Sequence, residues 1–492
     1  MAVIQKPEPL SHGQVIVGAA ATLLVFALLY VIRGSSGRPD AATITTGLLF
    51  FVPLLIFPRC RFRRDVLISP LNWILFAFFL QLVLLPTLIA VQGPSLGTLP
   101  FLPSAASVRR ALLVSSIAYV SFCTAYLWLQ SHGRSARFAE PHPADPPGLR
   151  LIAIFAVVGL LGVFLRYRSP LEFLEYLQDP VSWLSSQGDV TVATGTATFL
   201  RPFLLVAIVM LWSRWADLHG KGSSTKDRFA ATAAAIVGIT IVGLTYNLNR
   251  ASIVVPVLAL IAAFSRHVRR VTPAALAIAA AVAVGPFLVV GLYRIGTVSR
   301  EEIVSPPQSR GGLIGDVDLS EQLQVYGTAP QFLAFVIDHV EPLRYRPRAL
   351  LVWSLLYPVP VVGKRSRAQS AVTLYNEMIS GPIDSVDQVV PFEGELCWTG
   401  GLAAVAAGFV LLGFLLAWLQ AGFDSAGGAF QTYSYQYAAI WATFLVVGSL
   451  EVVSQIVVYF FWPIFIAAAT HVLRLRRERP SLELGERLDP AH

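Results

Sequence analysis

Two glutamates, Glu393 and Glu395, flank Gly394 in the segment PFEGELCWTGG, which leads directly into an apolar stretch. A carboxylate stripped of water at such a place becomes a stronger base and can take a proton from a sugar hydroxyl; equally, it can neutralise a structural arginine. His339, in IDHVEP, is the one histidine between Arg294 and Gly400. It reads as a third candidate base or as a polar edge residue of an amphipathic helix. Cations complete the set. Arg250 lies in the hairpin TYNLNRASIVV beside Asn247 and Asn249, where its planar, always-charged fork suits a phosphate or serves as a snorkelling anchor. Arg166, Arg168, Arg201 and Arg294 stand at the ends of apolar runs, each an interfacial anchor when taken singly, and with Arg250 they could line one anion cavity. Between residues 344 and 367, Arg344, Arg346, Arg348, Lys364, Arg365 and Arg367 occur without a single acid. That stretch fits a phosphorylated or acidic glycan, or a solvated face balancing the acids elsewhere in the segment.

The elements that must hold these groups are membrane helices. A chain that is 55% hydrophobic and only 13% charged cannot cover itself with a water-soluble surface. Apolar runs long enough to cross a hydrocarbon core of roughly 30 Å recur throughout. They predict an all-α polytopic membrane protein of about 12 transmembrane helices. The runs lie near residues 14–32, 41–58, 66–91, 111–130, 151–167, 194–212, 229–246, 251–264, 272–293, 402–419, 438–452 and 453–472. The organisation is therefore nine helices with short loops over 1–293, one large loop over 294–400, three more helices over 401–473, and a basic tail over 474–492. Basic clusters such as RCRFRR, RHVRR and RLRRER follow the even-numbered runs, which predicts cytoplasmic termini and an outward-facing large loop between the ninth and tenth helices. A net charge of +8 is explained by topology signals and anionic lipid headgroups, with no nucleic acid required. The first apolar run reads as an uncleaved anchor.

Several segments of the loops carry their own patterning. PLEFLEYLQDPVSWL repeats Leu171, Leu174 and Leu177 at helical spacing, as in a helix lying on the membrane. APQFLAFVIDHV forms one apolar stripe through Phe332, Phe335, Val336 and Val340. RALLVWSLLYPVPVVGK is too short to span and is broken by Pro358 and Pro360, so it is expected to dip into the interface; AQSAVTLYNEMIS reads as a short helix. Cys60, Cys123 and Cys397 are too dispersed for a disulfide framework or a thiolate metal site. The chain has no GxxxxGK[ST], HExxH or paired CxxC motif.

The order of these features resembles the O-antigen polymerase group, the oligosaccharide repeat unit polymerases of bacterial capsules, O-antigens and exopolysaccharides. LNRASIVVPVLALIAAF resembles that family's arginine-bearing hairpin, and DHVEPLRYRPRALLVWSLLYPVPVVGKRS its loop segment ending in a proline-rich turn and a lysine. GELCWTGGLAAVAAGFVLLGFLLAWL is similar to the acid, aromatic and glycine pattern that opens the helix after the large loop. The likeness covers roughly residues 150 to 420, and the family's aromatic-glycine step stands here as Thr399-Gly400-Gly401.

The resemblance implies a cell-envelope enzyme of the bacterial cytoplasmic membrane. It would transfer a growing glycan from undecaprenyl diphosphate to the non-reducing end of another lipid-linked repeat unit. Its partners are the undecaprenyl diphosphate-linked oligosaccharide and membrane lipids, with a flippase and a chain-length regulator as candidate partners. A glycosyl diphosphate is already activated, so the reaction calls for positive charge on the leaving group and a base for the attacking hydroxyl, with no cofactor and no metal expected. On this reading Arg250 and Arg294 hold the diphosphate. Arg344, Arg346, Arg348, Lys364 and Arg365 guide it, and Glu395, ahead of Glu393 or His339, is the base. An O-antigen ligase would share the plan and the donor. A glycolipid flippase or other secondary transporter would instead carry ionisable groups at mid-membrane depth and broken helices.

Overall fold

The computed structural model describes residues 12–33, 41–51, 69–131 except 98, 146–178, 183, 192–246 except 220–221, 251–269, 323–324, 327, 329–339, 347–359, 369–380 and 389–470. Every regular element among them is a helix. In chain order these are α1 (His12–Arg33), α2 (Ala41–Leu49), α3 (Pro70–Gln92), α4 (Ala105–Ser131), α5 (Leu149–Tyr167), α6 (Pro170–Gln178), α7 (Val192–Leu200) and α8 (Pro202–His219). They continue as α9 (Thr225–Leu244), α10 (Ala251–His267), α11 (Pro330–Asp338), α12 (Pro347–Leu356), α13 (Ala371–Ser380), α14 (Phe392–Ser425), α15 (Ala429–Val447) and α16 (Leu450–Thr470). Seven stretches among the described residues are long and apolar enough to cross a membrane. The protein is a polytopic helical membrane protein, and its outer surface agrees with that: Leu160, Phe164, Val237 and Leu411 are among many large apolar side chains facing outward. The expected ninth helix, over 272–293, lies outside the described residues.

The chain divides into two compact units. The first comprises Met1–His142, Asp316–Ala426 and Ala438–Ser454. Its main packing is α14 on α4, and Gly413 permits their close crossing, since a Cβ there would stand 2.5 Å from the carbonyl oxygen of Phe122. Around them an aromatic core joins Tyr30, Phe50, Phe78, Tyr119 and Phe122, mostly edge to face. Helix α3 contains a π turn at Leu80–Leu84, from within which the Gln81 amide donates to the carbonyl of Val446 at 2.7 Å.

Helix α11 differs from the interfacial helix its apolar stripe predicts. All seven residues from Pro330 to Val336 are buried, because Leu333 and Ala334 fill the face opposite Phe332 and Phe335. The approach of α11 to α14 depends on Gly394, where a Cβ would lie 2.4 Å from Cγ1 of Val336. Gly394→Ala is therefore expected to destabilise the protein by about 1–3 kcal/mol, read as a lower melting temperature in detergent. An unchanged melting temperature would mean that this packing is not required.

Helix α14 begins at Phe392, about ten residues before the apolar run that marks its span in the sequence. It is broken inside at Gly400 (φ −160°, ψ 22°) and Gly401 (φ 64°, ψ −153°). Only a residue without a side chain adopts the Gly401 conformation cheaply. The Thr-Gly-Gly step therefore separates a short helix, 392–399, from the spanning helix that follows.

The second unit comprises Pro143–Gly315, Gly427–Tyr437 and Gln455–His492. Helices α5, α8, α9 and α10 cross it, with α6 lying beside the end of α5. In α6, Phe173 and Leu177 pack on Tyr167, Tyr176 and Trp183, while Leu171 and Leu174 remain exposed. The helix is thus apolar on two sides, and the leucine stripe is divided between them: Leu171 and Leu174 face outward while Leu177 packs on the protein.

Candidate functional site

In the first unit the Phe392-Glu393-Gly394-Glu395 turn sends each residue to a different neighbour, as a step of about 100° per residue requires. Glu393 faces α4, where its Oε2 accepts a hydrogen bond from the Ser115 hydroxyl at 3.1 Å and its Oε1 has no hydrogen-bond partner among the described residues. Gly394 faces α11. Glu395 faces α12 and the start of α16: Oε1 accepts from the hydroxyl of Ser354, and Oε2 from the backbone N–H of Leu450 at 2.9 Å. The two glutamates thus point apart instead of forming a pair. Both are fully buried, and both lie in the first turn of α14, whose unpaired N–H groups favour negative charge. Further ties fix the turn. The N–H of Phe392 donates to the Gly448 carbonyl at 2.6 Å, and the Ser454 hydroxyl donates to the Ser354 carbonyl at 2.7 Å. Glu395, with both oxygens occupied, joins three segments of chain.

His339 is half-buried at the end of α11, where its ring lies 4.3 Å from that of Phe335. Nδ1 contacts the Phe335 carbonyl at 2.8 Å, and because a carbonyl only accepts, Nδ1 carries the hydrogen. In the neutral ring Nε2 is then the basic nitrogen. The neighbouring carbonyl of Val336 accepts from the indole of Trp398 at 2.8 Å, which ties the histidine's helix to the glutamate turn. The aromatic in GELCW thus secures α11, a role its sequence neighbourhood does not announce.

In the second unit Arg201 occupies the single-residue step between α7 and α8. Pro202, which lacks an N–H, starts the second helix there without losing a hydrogen bond. Gly159 and Gly162 of α5 make room for this step, since Cβ atoms on them would lie 2.2 Å from the nitrogen of Leu204 and 2.6 Å from that of Arg201. The guanidinium is buried. Its Nε donates to the Ala197 carbonyl at 3.3 Å, Nη2 to the Thr198 hydroxyl at 3.3 Å, and Nη1 to the Thr245 carbonyl. Thr245 caps the C-terminus of α9, so the cation sits at the negative end of a helix dipole. Tyr167 donates to the same carbonyl at 2.9 Å, and the ring of Tyr246 lies 4.6 Å beneath the guanidinium.

Arg166 lies within electrostatic reach of Arg201 and rests 4.8 Å over the Trp183 ring. Its Nε is buried with no hydrogen-bond acceptor. Among the described residues neither arginine meets a carboxylate. Arg168 follows at the end of α5 with a positive φ of 48° and an exposed side chain. Two cations on aromatic platforms, with donors to spare, can hold an oxyanion. The sequence marks Arg166 and Arg201 only as end-of-helix arginines; their platforms Trp183 and Tyr246 carry no readable signal, while GLLG in α5 is the trace of the close approach.

Arg250, Arg294, Arg344, Arg346, Lys364 and Arg365 lie outside the described residues, as does the side chain of Arg348 in α12. So does Cys60, while Cys123 and Cys397 are buried and in no disulfide. No group of metal-ligating side chains occurs among the described residues. No family model, no curated protein and no solved structure matches the chain.

Proposed function

We propose that the protein is a metal-independent membrane glycosyltransferase that polymerises lipid-linked oligosaccharide repeat units. It would take glycan from undecaprenyl diphosphate and add it to the non-reducing end of a second lipid-linked unit. The observation that carries this reading is the Arg166–Arg201 pair, two cations without a carboxylate among the described residues, one of them buried, in a membrane-spanning unit. An unneutralised charge in such a place is expensive, and an anionic headgroup is the partner a membrane offers. The acceptor hydroxyl attacks the anomeric carbon, the bond from that carbon to the diphosphate oxygen breaks, and the departing diphosphate keeps the electron pair and is stabilised by the guanidiniums.

The hydroxyl proton goes to a base. Of the first unit's candidate bases, each judged by its own surroundings, His339, half-buried and with Nε2 as its acceptor, is better suited to take a proton than Glu395, whose two oxygens are both engaged. Glu393 retains one oxygen for it. The proposal keeps the twelve-helix topology with both termini cytoplasmic and the 294–400 segment outside, where Arg250, Arg294, Arg344, Arg346, Arg348, Lys364 and Arg365 would gather the anionic substrate. A flippase upstream and a chain-length regulator alongside fit the same reading.

A second reading has its own support. Breaks at Arg201 and at Gly400–Gly401, with Glu393, Glu395 and Glu451 buried, are features that transport of a glycolipid would use. One assay separates the two. Purified protein in liposomes, given diphosphate-linked repeat units without nucleotide, is expected to yield a ladder of lengthening glycan that persists in chelator. Movement of the lipid across the bilayer without a ladder would establish transport and end the polymerase reading.

A further inference from the structure

Three buried tyrosines of this protein find a backbone carbonyl. Tyr30 donates to Leu82, Tyr119 to Phe50 and Tyr167 to Thr245. In the second unit a group of side chains breaks that pattern. The hydroxyls of Tyr246 and Tyr433, both ends of the Gln436 amide and the indole N–H of Trp462 are all buried with no hydrogen-bond partner among the described residues. Tyr433 and Gln436 are wholly enclosed, at 0% exposure. Leaving such atoms dry is costly, and five of them together would offset much of the net stability of a typical fold.

These groups gather around one local irregularity. Helix α16 makes a π turn at Val457–Phe461, a wider turn that recurs at functional sites. Phe460 packs 5.0 Å from Tyr246 and Phe461 5.2 Å from Tyr437, while Trp462 lies 4.3 Å from Phe203. Tyr437 stacks on Tyr433 at 5.5 Å. Beyond Tyr433, Thr432 pairs with half-buried His267 at 2.7 Å, at the end of α10. At the opposite end stands Arg201 over the Tyr246 ring. Polar groups therefore run from His267 through Thr432, Tyr433 and Gln436 to Tyr246 and Arg201, all within the second unit.

We propose that this column binds a file of water molecules, held by Tyr433, Gln436, Trp462 and Tyr246 and entering from the His267 end. Water is the ligand these groups fit. They are scattered single donors and acceptors, enclosed on all sides, and a buried water makes about two to four hydrogen bonds, enough to serve neighbouring groups at once. The guanidinium at the inner end repels protons and other cations, so the file hydrates and does not conduct. Resting on the anion-site reading above, the file would resolvate Arg201 each time a diphosphate leaves, lowering the cost of product release.

The test is radiolytic hydroxyl labelling of the whole protein in nanodiscs, read by mass spectrometry, with no lipid-linked substrate present. Radicals formed in bound water mark the side chains beside it even where bulk solvent has no access. Tyr433, as fully enclosed as Tyr30 and Tyr119, and Tyr246, which is 6% exposed, are expected to label roughly tenfold faster than those two tyrosines, whose hydroxyls are bonded to carbonyls. Gln436→Leu, which fills the amide's place with an apolar group of similar size, is expected to slow labelling of Tyr433 toward that of Tyr119. Equal, slow labelling of all four tyrosines would overturn the proposal. The result is independent of glycan chemistry, so the water file and the polymerase reading can fail separately.

Discussion

On the proposed function, replacing Arg166 with glutamine is expected to slow glycan elongation by roughly 100-fold or more, the usual loss when one charge-stabilising donor is removed from a reacting oxyanion. The melting temperature should stay close to that of the unaltered protein, because the half-buried Arg166 contributes a cation–π contact with Trp183 worth only about 1–2 kcal/mol. Arg166→Lys should recover part of the rate, since it restores the charge but not the planar fork. Arg201→Gln is expected to lose activity and stability together. Its guanidinium joins Ala197, Thr198 and the C-terminal cap of α9, and those acceptors would be left in an apolar interior. Gel analysis of polymer length and a thermal melt on the same preparations read both effects. Normal ladders from Arg166→Gln would remove the arginine pair from the site and with it the observation on which the function rests.

Glu395 yields the second large effect. Glu395→Ala is expected to cost about 3 kcal/mol or more, because it strands the Leu450 N–H and the Ser354 hydroxyl inside the first unit. Glu395→Gln should be nearly silent in stability: its amide oxygen can still accept from Leu450, and the Ser354 hydroxyl can rotate to accept from its nitrogen. If Glu395 is a tie, the glutamine variant keeps most of its activity; a base would lose it despite a normal melt. We expect activity to survive in Glu395→Gln and to fall by about 100-fold in His339→Ala, the typical weight of a positioned base. The reverse pattern would return the base to Glu395.

The contrast between these residues shows how far the sequence can be read. Membrane helices are legible because an uninterrupted apolar stretch of about 20 residues matches the thickness of a bilayer and little else. The α14 boundary is not, because Phe392 to Trp398 carries two glutamates and looks like loop; its burial depends on partners distant in sequence, Ser115, Ser354 and Leu450. Helix α11 departs from its pattern for a related reason. Its apolar stripe predicts one buried face; in the fold Gly394 lets α14 close on Val336 of that stripe, and Leu333 and Ala334 on the opposite face are buried as well. Arg201 and Arg166 stand out as candidates by their positions at helix ends. What distinguishes them from anchors, the rings of Trp183 and Tyr246 and the absence of an acid among the described residues, exists only once the chain is folded.

The Gly400–Gly401 break also bears on how the protein lives with its lipids. Beyond it α14 is a long apolar rod whose tilt must follow the thickness of the bilayer around it. Ahead of it the 392–399 turn is clamped by the Gly448 carbonyl, the Leu450 amide and the Val336 carbonyl. A hinge between the two lets the rod lean while the clamped turn stays still. Bilayers of differing acyl length should therefore be interchangeable for the glutamate turn, whereas stiffening the hinge with alanines would transmit every change of membrane thickness to it.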